Sequence, residues 1–140
     1  MNEYPDCFVK QTIEHDPEKG NWGNCFSAVL ASLLDIPIED VPVFSGDGWL
    51  LRVNEFLRDY DLAFMYIDNL PEALKAYGIA GLWHEVSGET GRNTFHSCVA
   101  HDGQLVFDPH KSNAGLTTTT DYGVFVALNP AKAKTCKAQN

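Results

Sequence analysis

Hydrophobic side chains in the first part of the chain recur with the period of an α-helix. Residues 25–34 are almost all apolar, and Asp35-Ile36-Pro37 ends the run because proline disfavours a helical conformation in the residue before it. A second apolar stripe occupies positions 49, 50, 53, 56, 57 and 60. A third run over 71–78 is short and closes at a glycine. The pattern predicts three helices.

The spacing of apolar positions after residue 78 becomes typical of β-strands. Strands are predicted over 79–86, 94–101, 105–108 and 124–128, together with an earlier strand over 61–67 and a short strand or extended arm over 7–13. The pair Asp102-Gly103 is a two-residue hairpin signal that joins two of these strands. Helices followed by an antiparallel sheet predict an α+β domain.

The composition limits the domain organisation and the partners. With 140 residues and 44% hydrophobic residues the chain can form one core, so we expect a single domain over 1–140 with a loose tail over 131–140. A net charge of −9 argues against a nucleic-acid partner, which would require basic patches. No apolar run approaches the ~20 residues of a membrane span, and no secretory signal is seen, so we expect no membrane partner and a cytoplasmic location.

Cys25 stands where a nucleophilic thiol is expected, after Gly23-Asn24 and at the start of the first predicted helix. The first turn of a helix presents unpaired backbone N–H groups and the positive end of the helix dipole, both of which favour thiolate over thiol. The other three cysteines, at 7, 98 and 136, form no CxxC pair with one another or with Cys25, as in proteins of a reducing compartment.

A nucleophilic cysteine also needs a base and a group that orients the base. His96 lies in one predicted strand, and Asp108 lies on the strand that the Asp102-Gly103 turn folds back against it. Counting outward from the turn places the two near the same rung, although a shift of one residue would turn them to opposite faces. We predict a catalytic triad of Cys25 as nucleophile, His96 as base and Asp108 as orienter.

An acyl-transfer site needs hydrogen-bond donors for the developing oxyanion. The backbone N–H of Cys25 is one candidate, and the side-chain amide of Gln11 is the best-placed second, with Asn24 and Asn21 as rivals nearer the nucleophile. Trp22 and His110 are candidate substrate contacts, because Trp22 lies three residues before the nucleophile and His110 follows Asp108-Pro109.

A metal centre has weaker support in the sequence. His96, Cys98 and His101 are close along the chain, but strand alternation puts His101 on the face opposite His96, and neither CxxC nor HExxH spacing occurs. We expect neither a metal nor another cofactor.

Four segments together resemble the papain-like cysteine peptidase superfamily, and most closely its small C39-like bacterial and phage members. They are Gly23-Asn24-Cys25-Phe26 opening a helix, Phe95-His96-Ser97-Cys98-Val99 in a strand, the Asp-Gly turn, and Phe107-Asp108-Pro109-His110. The resemblance spans roughly residues 9–116. It implies a papain-like fold, in which the nucleophile helix packs on an antiparallel sheet, with the same triad and with Gln11 as the oxyanion donor.

The expected function is hydrolysis of an amide bond in a peptide, an isopeptide or a small amide, through a thioester on Cys25. One alternative is an acyltransferase of transglutaminase type, in which an amine replaces water. Another is a non-catalytic protein that keeps the papain-like shell to bind a partner, for example a phage-encoded inhibitor of a host protein.

Overall fold

The structure is a computed structural model that describes residues 7–132. Three α-helices and seven strands lie in this part of the chain, together with two short 3-10 turns. The helices are α1 (Cys25–Leu34), α2 (Trp49–Arg58) and α3 (Leu70–Tyr77). The strands are β1 (His15–Asp16), β2 (Asn21–Trp22), β3 (Leu62–Ile67), β4 (Trp83–Glu89), β5 (Phe95–His101), β6 (Gln104–Phe107) and β7 (Thr118–Ala127).

Five of the strands form one antiparallel sheet in the order β3-β7-β4-β5-β6. The remaining pair, β1 and β2, is a separate small hairpin. The β5–β6 connection is the predicted turn: Asp102 and Gly103 have φ values of 50° and 86°, as the two central positions of a type I′ turn require. The predicted α+β class is confirmed.

Helices α1 and α2 cover one face of the sheet. Because α1 is apolar on all sides, it is buried between two layers of side chains. Val29 and Leu33 pack against Val99 and Phe107 of the sheet. A second hydrophobic cluster lies between the far side of α1, helix α2 and strand β3. Its buried residues are Leu30, Ala31, Leu34, Val41, Val53, Leu57, Leu62 and Phe64. This packing fixes the start of α1 over the sheet.

Helix α3 covers part of the opposite face, where Leu70 and Leu74 pack on Val124. The neighbouring Phe125 packs against the α1 side, as expected of adjacent residues in a strand. A cluster of Val86, Cys98 and Ala100 continues the α3-side layer. The sheet therefore carries apolar side chains on both faces.

A buried histidine ties β4 to the β5–β6 turn. Nε2 of His84 accepts the backbone N–H of Gly103 at 2.9 Å, and Nδ1 lies 2.9 Å from the carbonyl oxygen of Glu85. Both bonds form together only in the neutral ring with its hydrogen on Nδ1. Burial lowers the pKa of His84, which favours this neutral form.

Some predicted elements differ from the observed ones. Of the two alternatives predicted for residues 7–13, a short strand or an extended arm, the structure has the arm, in which the Gln11 N–H donates to the Pro109 carbonyl at 3.0 Å. The predicted loop over 15–24 contains the β1–β2 hairpin, and the last strand begins at Thr118 instead of 124. The sequence pattern does not show the first half of this strand, because residues 117–123 combine threonines with Asp121 and Gly123, which obscure the alternation of apolar and polar positions. From residue 133 onward the predicted tail lies outside the described residues.

Within residues 7–132, none of the helices is long and apolar enough to cross a membrane.

Candidate active site

The start of α1 is anchored by the buried side chain of Asn24. Its Oδ1 accepts the backbone N–H groups of Thr12 and Ile13 at 3.0 and 2.8 Å, and its Nδ2 donates to Oγ1 of Thr12 at 2.8 Å. The backbone N–H of Asn24 donates to the Ile13 carbonyl at 3.1 Å. These bonds hold the N-terminal arm beside the half-buried Cys25, the first residue of α1.

His96 and Asp108 form a buried pair beside this helix end. Nε2 of His96 lies 2.6 Å from Oδ1 of Asp108, and both side chains are almost fully enclosed. The Cys25 thiol interacts with His96 and raises the pKa of the imidazole, and the two residues line the same two cavities. Because Nε2 faces Asp108, Nδ1 is the ring nitrogen left for the thiol. The structure therefore brings Cys25, His96 and Asp108 together, with the imidazole between the other two.

A β-bulge brings Asp108 to the face on which His96 lies. Next to the turn His101 pairs with Gln104 and Ala100 with Leu105, but Val99 then pairs with Phe107, so that Val106 is an extra residue. Continuing this register places Asp108 opposite Cys98, two residues from His96 and therefore on the same face. Without the extra residue Asp108 would be opposite Ser97 and on the wrong face.

The carboxylate of Asp108 is held by further donors. Oδ1 also accepts the His110 N–H at 2.8 Å, and Oδ2 accepts the Gly115 N–H at 2.8 Å. Lys10, which the sequence reasoning missed, donates to the carbonyl oxygens of Asp108 and His110 at 2.8 and 3.1 Å. Its position in the N-terminal arm gave no local signal, because the contact spans almost a hundred residues.

The environment of the pair favours an ionised carboxylate and a protonated imidazole. Burial opposes charge on both groups. For His96 the hydrogen bonds with Asp108, Cys25 and Cys98 outweigh burial and raise its pKa. For Asp108 the hydrogen bonds from His96 and from the two backbone N–H groups outweigh burial and hold its pKa well below the usual range.

Cys98 is a second thiol next to the imidazole, but it is fully buried. Burial raises the pKa of Cys98 to about 11, although its contact with His96 acts in the opposite direction. A protonated, enclosed thiol is a poor nucleophile. Of Cys25 and Cys98, Cys25 is therefore the one suited to attack a substrate.

The candidate oxyanion amides have different surroundings. Gln11 lines the same cavity as Cys25, and its Nε2 donates to the Ile13 carbonyl at 2.9 Å, while its Oε1 is buried without a hydrogen-bond partner. The amide of Asn24 is engaged by the arm, as described above. Asn21 lies in β2, paired with Asp16.

Cys25 opens onto a cavity of about 220 Å³ that contains both predicted substrate contacts, Trp22 and His110. Trp22 is 63% exposed and Phe95, on the same cavity, is 58% exposed, so two aromatic rings lie open to solvent beside the thiol. The His110 ring packs edge-on to His96 at a centroid distance of 6.0 Å. The cavity is also lined by Arg92.

A second cavity, of about 240 Å³, also borders Cys25 and His96. Its walls include aromatic side chains, and Glu85 of β4 contributes a buried carboxyl to its lining. Ser97 donates a hydrogen bond to Oε2 of Glu85. The sequence reasoning did not identify Glu85. The available signal was an acidic residue inside a predicted strand.

One group of described residues has the spacing of a metal-binding set. The ligand atoms of His96, Cys98 and Asp108 lie within 4.8 Å of one another, and all three residues are buried. Two members of this set, His96 and Asp108, are the hydrogen-bonded pair described above.

Comparisons of the chain with models of protein families, with curated proteins and with solved structures give no match. The fold and the site define an α+β domain in which a half-buried cysteine at a helix start faces a buried histidine–aspartate pair.

Proposed function

We propose that the chain is a cysteine-dependent amide-bond hydrolase with a papain-like arrangement of helix and sheet. The observation that carries this proposal is the position of the His96 imidazole, between the Cys25 thiol and the Asp108 carboxylate. The order along the chain supports it, because the cysteine begins a helix, the histidine lies in a later strand and the aspartate follows the next strand.

In the proposed resting state the proton of Cys25 lies on Nδ1 of His96, so that a thiolate and an imidazolium face each other before the substrate binds. The thiolate attacks the carbonyl carbon, a C–S bond forms, and the carbonyl π electrons move onto oxygen. When the tetrahedral intermediate collapses, the C–N bond breaks and His96 gives its proton to the departing amine. Water then attacks the thioester while His96 takes a proton, which releases the carboxylic acid and regenerates the thiol.

Asp108 acts on this cycle through the imidazole. By accepting the Nε2–H of His96 it leaves Nδ1 of the neutral ring available as the base. The negative charge also stabilises the imidazolium that forms after proton transfer. Because Asp108 is itself fixed by the N–H groups of His110 and Gly115, the ring orientation is set before a substrate binds.

The proposed oxyanion donors are the backbone N–H of Cys25 and the side chain of Gln11. The first turn of a helix has N–H groups without intrahelical partners, and Cys25 is the first residue of α1. The amide nitrogen of Gln11 has a second hydrogen beyond the one given to Ile13, and it lines the cavity of Cys25.

The proposed substrate is a peptide, an isopeptide or a small amide bound between the two cavities that border Cys25. The exposed rings of Trp22 and Phe95 offer apolar contact beside the scissile bond. We further propose a reducing, cytoplasmic setting, because Cys25 and Cys98 are thiols and a nucleophilic thiol must stay reduced.

The test compares alkylation of the individual cysteines. We expect iodoacetamide to label Cys25 faster than Cys7, Cys98 and Cys136 near pH 7, as followed by peptide mass spectrometry. Replacement His96→Ala should slow labelling of Cys25 by about 10²-fold, because the thiol loses its proton acceptor. The half-buried His101, which lies at the far end of β5 from His96, provides the control, since His101→Ala should leave the rate unchanged. Equal labelling of all four cysteines, or no effect of His96→Ala, would overturn the proposal.

The same protein distinguishes hydrolysis from the alternatives. A trapped thioester on Cys25, detected by intact mass after incubation with an activated acyl donor, should resolve in water. Preferential resolution by an added amine would instead identify an acyltransferase. An acylated cysteine that never resolves would support a binding protein that keeps the shell of an enzyme.

A further inference from the structure

The second cavity beside Cys25 has aromatic walls and a polar floor. Phe26, Phe44 and Trp49 line its sides, and the Phe26 ring packs edge to face with each of the other two, at a centroid distance of 5.3 Å from Trp49. Its deep end is formed by Glu85, Ser87 and Ser97 of the sheet. Those three residues are each 4% exposed or less. The cavity thus leads from the nucleophile to a group of buried oxygen atoms.

Two of these oxygen atoms make no well-formed hydrogen bond. Oε1 of Glu85 and Oγ of Ser87 are both buried in this way, although Ser87 and the backbone N–H of Gly123 lie near enough to the Glu85 carboxyl to lower its pKa somewhat. A buried polar atom left without a partner costs about 1–3 kcal/mol, so native structures rarely retain one without a reason. The pairing of a carboxyl and a hydroxyl oxygen at the end of an open cavity indicates a ligand that supplies donors.

We propose that this cavity is the specificity pocket of the site and that it binds a cationic side chain of the substrate, of lysine or arginine type. The cation would reach the oxygen atoms of Glu85 and Ser87, while its alkyl stem would lie among the aromatic rings. The inference rests on the proposed function, because it concerns the substrate of the same cysteine.

A cation fits the surroundings of Glu85 better than a neutral group does. The groups that face this carboxyl are the hydroxyls of Ser87, Ser97 and Tyr66, the backbone of Gly123 and the carboxyl of Asp121, and none of them carries a positive charge. Burial raises the pKa of Glu85 to about 8, and Asp121 adds to the increase, so the carboxyl carries a proton near neutral pH. A bound ammonium would replace that proton and supply the missing counter-charge.

The walls give a second reason. Ammonium and guanidinium groups are attracted to the faces of aromatic rings, most strongly to tryptophan, and methylene stems pack well against them. A purely apolar ligand would also fit the walls, but it would leave the unpartnered oxygen atoms of Glu85 and Ser87 buried beneath it. The polar floor therefore selects for charge at the end of the ligand.

The experiment uses two electrophiles that differ only at the end of the chain, N-(5-aminopentyl)chloroacetamide and N-pentylchloroacetamide. The second-order rate constant for alkylation of Cys25 is measured for each probe in the wild-type protein, and the ratio of the two is the readout. We expect the cationic probe to react about tenfold faster or more, as a charge-assisted hydrogen bond in a desolvated site predicts.

Glu85→Gln should bring the ratio close to one, and Ser87→Ala, a smaller change, should lower it in the same direction. The control is Glu72→Gln, an exposed acidic residue of α3 that should leave the ratio as in the wild type. The proposal that this cavity binds a cationic side chain is wrong if the wild-type ratio is at or below one, or if Glu85→Gln and Ser87→Ala leave the ratio unchanged. The iodoacetamide rate and its dependence on His96 are measured separately, so failure of the pocket is distinct from failure of the proposed chemistry.

Discussion

At the scale of single residues, the site depends on how completely Asp108 is restrained. Its two carboxylate oxygens accept from one imidazole and two backbone N–H groups, and its carbonyl accepts from Lys10. A carboxylate with this many donors stays ionised and cannot rotate. The histidine is thereby oriented by a group that the backbone itself fixes, and the thiol faces a ring with one accessible nitrogen.

Asp108→Asn tests this role directly. The amide keeps the size of the side chain, but it removes the negative charge and places an NH₂ group next to one of the donors. We expect the iodoacetamide rate of Cys25 at pH 7 to fall by about 10²-fold or more, because the ring loses its orientation and its charge partner. Urea unfolding checks that the variant is folded. A folded variant with an unchanged rate would remove Asp108 from the triad.

At the scale of elements, the helices and the turn were accessible to sequence reasoning, but the register was not. α1 was predicted with its observed bounds because its apolar run is bounded by Gly23-Asn24 and by a proline. The Asp102-Gly103 turn was predicted because only a few residue pairs adopt two positive φ angles. The bulge at Val106 carries no local sequence signal, yet it decides which face Asp108 occupies.

The buried polar residues show a second limit. The roles of Asn24, Glu85 and Lys10 depend on partners that are distant in sequence. The sequence pattern around a polar residue in an apolar run does not show whether that residue is buried or exposed. Cys25 and His96 could be proposed because each lies within a pattern that has a physical meaning of its own. The distance between the segments that carry Cys25 and His96 depends on how α1 packs on the sheet. The pattern of apolar and polar residues does not determine that packing.

Gly88 is a point at which the sheet tolerates no side chain. It pairs with His96 on β5, and its strand shifts register against β7 between Ser87 and Gly88. A Cβ atom at this position would lie 1.8 Å from the Thr118 carbonyl oxygen. Gly88→Ala must therefore push two strands apart, and we expect a loss of about 1–3 kcal/mol in the free energy of unfolding.

The matched control for this substitution is Gly91→Ala. Gly91 lies three residues further along in the β4–β5 turn, and a Cβ atom there has no neighbour nearer than 4.0 Å. Its effect should stay within about 0.5 kcal/mol. Urea denaturation of the two variants gives the comparison. Equal stability of both would mean that β7 can move without cost.

At the scale of the whole molecule, some buried ionisable groups lower the stability as pH falls, and others lower it as pH rises. Burial lowers the pKa of His84, so its contribution is lost as pH falls below the ordinary value of 6.5. The pKa of Asp108 is also lowered in the folded state, so its contribution to the free energy of unfolding is lost as pH falls below 3.8. Glu85 and His96 have raised pKa values, and their contributions are lost as pH rises.

The alkaline side of the profile can be assigned to a residue. The contribution of Glu85 is complete below its ordinary pKa of 4.5 and is lost as pH rises through about 8, because the folded state must then expose or ionise a buried carboxyl. Glu85→Gln removes this proton linkage while keeping a side chain of similar shape. We therefore expect the unfolding free energy of the variant to fall less than that of the wild type between pH 6 and pH 9.

Urea unfolding at pH 6, 7.5 and 9 measures the difference in slope, which does not depend on how much the substitution itself costs at any one pH. His96 affects both proteins over the same range and so cancels in the comparison. Parallel curves for the two proteins would mean that Glu85 is already ionised at pH 6. In that case the deep end of the second cavity would hold a charge without a partner, and a cationic ligand would bind there without releasing a proton.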